Sequence, residues 1–203
     1  MLYIPRAFAV EDTRALHALI DEHPFATLVT PALPEPHVSH IPLLRDGDTL
    51  LGHFAAANPH ARHVEGAASL AIFHGPHAYV SPTWYADPAK AVPTWNVATV
   101  HVHGRIATLP SAVDAERVIE YLVARFEASW RFAMEGQARH SMIANIVAFR
   151  MPIERIAGKF KLSQNRPRED RRRVIAALAA SPHAESRATA AWMQRHADPD
   201  EQG

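Results

Sequence analysis

Two lysines, an arginine and three neutral hydrogen-bonding side chains fall within the eleven residues Ala157-Gly-Lys-Phe-Lys-Leu-Ser-Gln-Asn-Arg-Pro167. That density of cations and donors is the chemistry of an anion site. Read as a strand, the stretch alternates faces, with Lys159, Lys161 and Ser163 on one side and Phe160 and Leu162 turned toward a core. Two ammonium groups and a hydroxyl on one face suit a phosphate. An ordinary strand with a solvated basic face produces the same pattern, and spacing alone does not separate the two.

The other chemistry-bearing residues are the histidines and tryptophans. Among the fourteen histidines, His37/His40, His60/His63 and His74/His77 are spaced i, i+3, and His101/His103 are i, i+2. No acidic residue accompanies them in a helical zinc pattern, and in loops or strands i, i+3 side chains do not converge, so no metal is expected. A single histidine as a haem ligand stays open. Hydrolase chemistry has no Gly-x-Ser-x-Gly elbow to stand on, and a dinucleotide fold has no Gly-x-Gly-x-x-Gly. Two echoing segments, Ser81-Pro-Thr-Trp-Tyr85 and Val92-Pro-Thr-Trp-Asn96, place indoles beside prolines. Such residues are core packing or a rigid wall for a planar ring.

The totals narrow the classes further. The 203 residues are 48% apolar and 21% charged, which is globular composition, with 16 prolines to terminate elements. The absence of cysteine excludes disulfides, thiolate metal sites and cysteine nucleophiles. Net charge is zero, so any grip on nucleic acid needs a local patch, and Lys159 to Arg173 carries seven basic residues against Glu169 and Asp170. The two helices expected after it make a poor helix-turn-helix, because Ser181-Pro182 replaces the usual turn and few side chains in the second can read bases. No charged leader with a long apolar run opens the sequence and no later run is long enough for a membrane span, so a cytoplasmic protein is expected.

The elements that must position these groups follow in order. Leu16, Leu19 and Ile20 mark a helix over 11–22 with Asp12 as its cap and His23-Pro24 as its stop. Strands are expected at 25–30, 38–44 and 49–54, the first two as a hairpin, then a short helix opened by Asn58-Pro59 and running through Val64. Residues 69–73 and 77–80 read as two strands folded tightly around His74-Gly75-Pro76. In the long strand 96–109, Ala98, Val100, Val102 and Ile106 alternate with Thr99, His101, His103 and Arg105. Helices at 112–130 and 137–145, a strand at 147–156 leading into the basic stretch, and helices at 168–180 and 186–196 complete the chain, with a polar tail. Strands this closely spaced point to mainly antiparallel β structure with peripheral helices.

Several blocks carry a family resemblance: Met1-Leu-Tyr-Ile-Pro-Arg6, His23-Pro-Phe25, Ser39-His-Ile-Pro-Leu43, Gly52-His-Phe54 with Ala57-Asn-Pro59, Gly75 through Tyr85, Val92 through Asn96, Val100-His-Val-His-Gly104 and Gly158 through Arg166. In this order they resemble the PaiB family of FMN-binding negative transcriptional regulators. The resemblance implies a split β-barrel like that of the pyridoxamine-phosphate oxidase group over 1–166, a helical extension packed on it over 167–203, and a homodimer with flavin at the subunit interface. It also implies gene repression; direct DNA contact has little support in the charge balance. FMN needs cations for its phosphate and a slot for its ring. Lys159, Lys161, Ser163, Gln164 and Asn165 are expected at the polar end, Trp84, Tyr85 and Trp95 at the ring, and His53, Asn58, Ser81, Asn96 and His101 as further polar contacts. Leu51 stands where the family has arginine before its Gly-His pair, and Phe126-Glu127 where His-Glu is common. The alternatives are a flavin-dependent oxidoreductase and a haem protein bound through His53 or His101.

Overall fold

The computed structural model describes residues 2–127, 129 and 135–196. The strands in it are β1 Ala9–Val10, β2 Phe25–Thr30, β3 His37–Pro42, β4 Leu44–Asp46, β5 Thr49–Ala55, β6 Ala68–Val80, β7 Thr94–Arg105, β8 Ala107–Leu109, β9 Ile146–Pro152 and β10 Arg155–Lys161. The α-helices are α1 Thr13–Glu22, α2 Ala112–Phe126, α3 Gly136–Ala144, α4 Arg168–Ala179 and α5 Ala184–Arg195. Mainly antiparallel sheet with peripheral helices, the class expected from the sequence, is the class found. Trp130, placed by its sequence at the end of α2, and the tail after His196 lie outside the described residues.

The chain divides into two compact units, Met1–Leu16 with His74–Val100 and Ala157–Gly203, and His17–Phe73 with His101–Ile156. In the first, strands run in the order β1-β10-β7-β6, with Ala9 opposite Lys159 and Val10 opposite Gly158. A Cβ on Gly158 would lie 2.1 Å from Leu16 Cδ2, which explains glycine at that strand position. Helices α4 and α5 bury Val174, Leu178, Ala190, Trp192 and Met193. Phe160 meets the edge of Trp192, ring centroids 5.6 Å apart at 74°. Burying side chains of this size stabilises the unit by about 1.5–3 kcal/mol each.

In the second unit, β2 pairs with β3 as the expected hairpin and with β6, while β4-β5-β9-β8 form a four-stranded sheet. Beneath α2, Leu44, Ala115, Val118, Leu122, Ile143 and Ala148 make a small apolar core. Gly104 is required by close approach, since a Cβ there would lie 2.1 Å from the Pro152 carbonyl oxygen. The Asp12 cap is present, its carboxylate accepting from the Arg14 amide at 2.9 Å. Asn58 likewise caps the His60 amide at 3.0 Å, but the helix it opens is a single 3-10 turn, Pro59–Arg62.

One expected pair of strands is a single strand. His74-Gly75-Pro76 makes no turn, and β6 runs unbroken from Ala68 to Val80. Buried residues are Ser69, Ala71, Phe73 and Gly75, then Pro76, Ala78 and Val80, so the inward face changes from odd to even positions at Gly75-Pro76. The punctuation was real, but it shifts the pleat instead of reversing the chain; proline's fixed φ is compatible with extended structure.

Candidate functional site

In the first unit, β10 stops at Lys161, two residues before alternation would place Ser163 beside the lysines. Ser163 instead adopts φ 64°, a left-handed conformation rare outside glycine, and its side chain is buried. Its Oγ donates to Asn96 Oδ1 at 3.1 Å, and Asn96 Nδ2 donates to Met193 Sδ at 3.3 Å. Gln164 closes the same turn from within: its Oε1 accepts from the Leu162 amide at 2.6 Å and its Nε2 donates to the Phe160 carbonyl. Ser163, Gln164 and Asn96 therefore shape the turn that ends the basic strand, while Asn165 is exposed at its tip. Phe160 and Leu162 are core residues, as alternation required.

Lys161 is half-buried, its Nζ donating to Thr94 Oγ1 at 2.6 Å and to the Trp95 carbonyl at 2.5 Å. An ammonium has three protons to donate, so one donor remains. Burial, followed by the positive charges of Lys159 and Arg166, pushes its pKa below the ordinary lysine value. Lys159 Nζ lies 5.7 Å from the Tyr3 ring centroid and the Arg166 guanidinium 4.9 Å from that of Tyr85. Among the described residues, no carboxylate pairs with any of these three cations. The structure thus brings together Lys159, Lys161, Arg166, Tyr85, Trp95, Asn96, Ser163 and Gln164 within one unit.

The aromatic residues behave unequally. Tyr85 is buried and Trp84 half-buried, in a 3-10 turn capped by Ser81, whose Oγ accepts from the Thr83 amide at 3.2 Å. Trp95 is 53% exposed, with Tyr79 edge-on at 6.2 Å and His77 at 6.3 Å. An indole this open on a regular strand is surface available to a flat ring.

His53, Asn58 and His101 belong to the second unit. The Nδ1 of His53 is buried with no hydrogen-bond partner among the described residues, and burial pushes its pKa down. Asn58 is engaged locally, capping His60 and donating through Nδ2 to Ser39 Oγ at 3.1 Å. His101 is half-buried on β7. Leu51 pairs in register with Arg150 of β9, so an arginine occupies the neighbouring strand on the same side of the sheet.

A second polar constellation escaped the sequence reading. Buried His60 has Ser39 Oγ 2.9 Å from Nδ1 and Thr30 Oγ1 2.8 Å from Nε2, with Ser69 Oγ 2.7 Å beyond Thr30. Ser69 donates to the Ala67 carbonyl at 3.4 Å, and a hydroxyl has one proton. Thr30 must then donate to Ser69 and His60 Nε2 to Thr30. In the neutral imidazole Nδ1 then accepts from Ser39, which itself accepts from Asn58. Burial, then the nearby His37 and His63, lowers the His60 pKa to about 4. His37 stacks on His63 at 4.5 Å and 8°, and on His60 at 5.5 Å. The contacts join residues more than twenty positions apart, and only the hydroxyl-rich strand positions Thr30, Ser39 and Ser69 hinted at them.

Residues 2–155 match a family model described as "Putative FMN-binding domain". The chain is 33% identical over 188 residues to the Bacillus subtilis protein named protease synthase and sporulation protein PAI 2, spanning 87% of this chain and 89% of that one. It is 29% identical to an uncharacterised protein of Emericella nidulans over 86% of this chain and 89% of the other. Among solved structures, its fold is similar to the flavocytochrome Anf3 from Azotobacter vinelandii, with TM-score 0.65, 17% identity and coverage of 78% and 72%. An FAD and heme binding protein from Mycobacterium smegmatis gives 0.62 at 18% identity, covering 75% and 73%.

Proposed function

The chain belongs to the FMN-binding family whose model it matches, and from that premise we propose that it holds the phosphate of FMN at the lysine-bearing turn of its first unit. The observation that carries this is the electrostatic state of Lys161. A half-buried ammonium beside two further cations, with no carboxylate in reach among the described residues, is a destabilising arrangement in the free protein. A phosphate of about two negative charges reverses its sign. Ser163, Gln164 and Asn96 act here by holding the turn, while Lys159, Lys161, Arg166 and the exposed Asn165 meet the anion. The open face of Trp95, with Trp84 and Tyr85 on the neighbouring turn, offers the flat surface a flavin ring takes. When bound, FMN supplies redox chemistry that no side chain carries.

The finer reading keeps 1–166 as a flavin-binding split barrel, 167–203 as its helical extension, and a homodimer with flavin at the subunit interface. The exposed aromatic surface of Tyr79 and Trp95 supports the last point, because apolar rings on a regular strand are unusual without a covering partner or ligand. A regulatory role is taken from the Bacillus relative's name. Contact with DNA through α4 has less to draw on, since Arg171 is buried and Arg173 pairs with Glu169 at 3.1 Å. No helix among the described residues is long and apolar enough to cross a membrane.

Titration with FMN and with riboflavin, which lacks the phosphate, tests the site. Wild-type protein is expected to quench FMN fluorescence and to bind riboflavin far more weakly. Lys159→Ala/Lys161→Ala should bring FMN down to the riboflavin level; equal affinity in wild type and double variant refutes the phosphate site. Single alanine variants at His53, Asn58 and His101 in the same titration test the further polar contacts expected of these residues.

A further inference from the structure

The second unit contains a cavity of about 950 Å³, bounded by the end of β8, the first turns of α2, and α3 with the start of β9. That volume is at the upper end of the range for sites that enclose small organic molecules. Leu109, Val113, Ile143, Ile146 and Val147 line much of it, continuous with the small core beneath α2. Thr108 and four ionisable residues join them: Glu65, Glu116, Arg139 and His140.

The hydrogen bonding of these residues settles what they can still offer. Arg139 is engaged by acids, pairing with Glu116 and with Glu120 at 3.0 Å. Glu65 Oε2 accepts from the Thr108 amide at 2.7 Å and from the Thr108 hydroxyl, and these donors hold its carboxyl below the usual carboxylate range. Its other oxygen keeps its lone pairs, as does the remainder of the Glu116 carboxylate. His140 Nδ1 lies 2.8 Å from the Gly136 carbonyl, which only accepts, so Nδ1 carries the proton and Nε2 of the neutral ring is an acceptor. Two lining carboxylates, those of Glu65 and Glu116, stand against the one guanidinium of Arg139, which Glu120 also pairs from outside the lining. The free polar capacity of the cavity is acceptor in kind and negative in sign, set against an apolar wall.

We propose that this cavity binds a small cationic amphiphile, a primary or secondary amine carrying an alkyl or aryl body, with the ammonium held by Glu65 and Glu116. A carboxylate ligand is disfavoured because Arg139 is already neutralised from within. A neutral apolar ligand leaves the acceptors without donors on burial, which costs binding free energy.

Calorimetric titration of the flavin-free protein with 4-phenylbutylamine, 4-phenylbutanol and 4-phenylbutanoate tests the assignment. The amine is expected to bind at least tenfold tighter than the alcohol, with no measurable heat from the carboxylate. Glu65→Gln, a surface change that keeps an acceptor for Thr108, should cost the amine about tenfold and leave the alcohol unchanged. Ala144→Trp should block the amine and the alcohol alike by filling the cavity. Equal binding of amine and alcohol, preference for the carboxylate, absence of amine binding, or amine binding unaltered in both variants overturns the proposal. FMN titration of the same variants checks folding, and because the amine is measured without flavin, failure of the flavin site and failure of this one are distinguishable.

Discussion

The lysine turn of the first unit and the His60 network of the second are both polar, both partly or wholly removed from water, and opposite in completeness. Around His60, each hydroxyl and ring nitrogen has a partner, and the direction of donation is determined from Asn58 through to the Ala67 carbonyl. Around Lys161, like charges crowd together and a donor is left over. A satisfied network stabilises the protein that contains it, whereas an unsatisfied cluster of one sign costs stability unless something else binds. The same contrast separates structural polar residues from ligand-seeking ones elsewhere in this chain: both amide atoms of Asn58 and of Asn96 have a side-chain or backbone partner, while Asn165 is exposed at its turn.

Substitution should pull the two regions apart. The largest effect on stability is expected from His60→Ala. It removes two buried hydrogen bonds and opens a void beside Phe54, whose ring is 4.9 Å away, together about 3 kcal/mol. Ser39 and Thr30 each retain one partner, so a larger loss is not expected. Denaturant unfolding checks this, and a loss under about 1 kcal/mol would mean the network is not structural. Lys159→Ala/Lys161→Ala should do the reverse, lowering FMN affinity by about 100-fold, near 2.7 kcal/mol, while the unfolding midpoint of the flavin-free protein holds or rises. A drop in that midpoint would show the lysines to be stabilising in their own right.

Acid sharpens the comparison. His60 titrates at about 4 in the folded protein against about 6.5 unfolded, so the unfolded chain takes up the proton first. Its contribution is fully present above pH 6.5, declines as the pH falls, and is exhausted near pH 4, with a slope approaching 1.4 kcal/mol per pH unit in the middle of that window. Stability measured between pH 7 and pH 4 should show this decline, and His60→Ala should flatten it by one proton. The smallest effect is expected at the partly exposed Arg45–Asp21 pair, 2.7 Å apart. Asp21→Asn should cost no more than about 1 kcal/mol, less in high salt, by thermal unfolding at two ionic strengths.

Much of this molecule was legible as sequence. Strict alternation in Ala98, Val100 and Val102 determined which face of β7 is buried, because a side-chain period of two leaves no other arrangement once one face meets a core; the expected strand 96–109 nevertheless breaks at buried Ile106 into β7 and β8 of separate sheets. Asp12 and Asn58 announced their caps, since a free helix amide needs an acceptor two or three residues away and both lie that close along the chain. The cationic character of 157–167 was equally local. Tertiary structure decided the rest. It made β6 one strand with a shifted face, turned Ser163 out of the lysine row into a left-handed corner, matched His37 with His63 instead of His40, and joined Thr30, Ser39, His60 and Ser69 into one chain of donors. Those outcomes depend on which distant strands lie side by side. Local propensity carries no information about a partner twenty or forty residues away, and the energy that selects it exists only once both are packed.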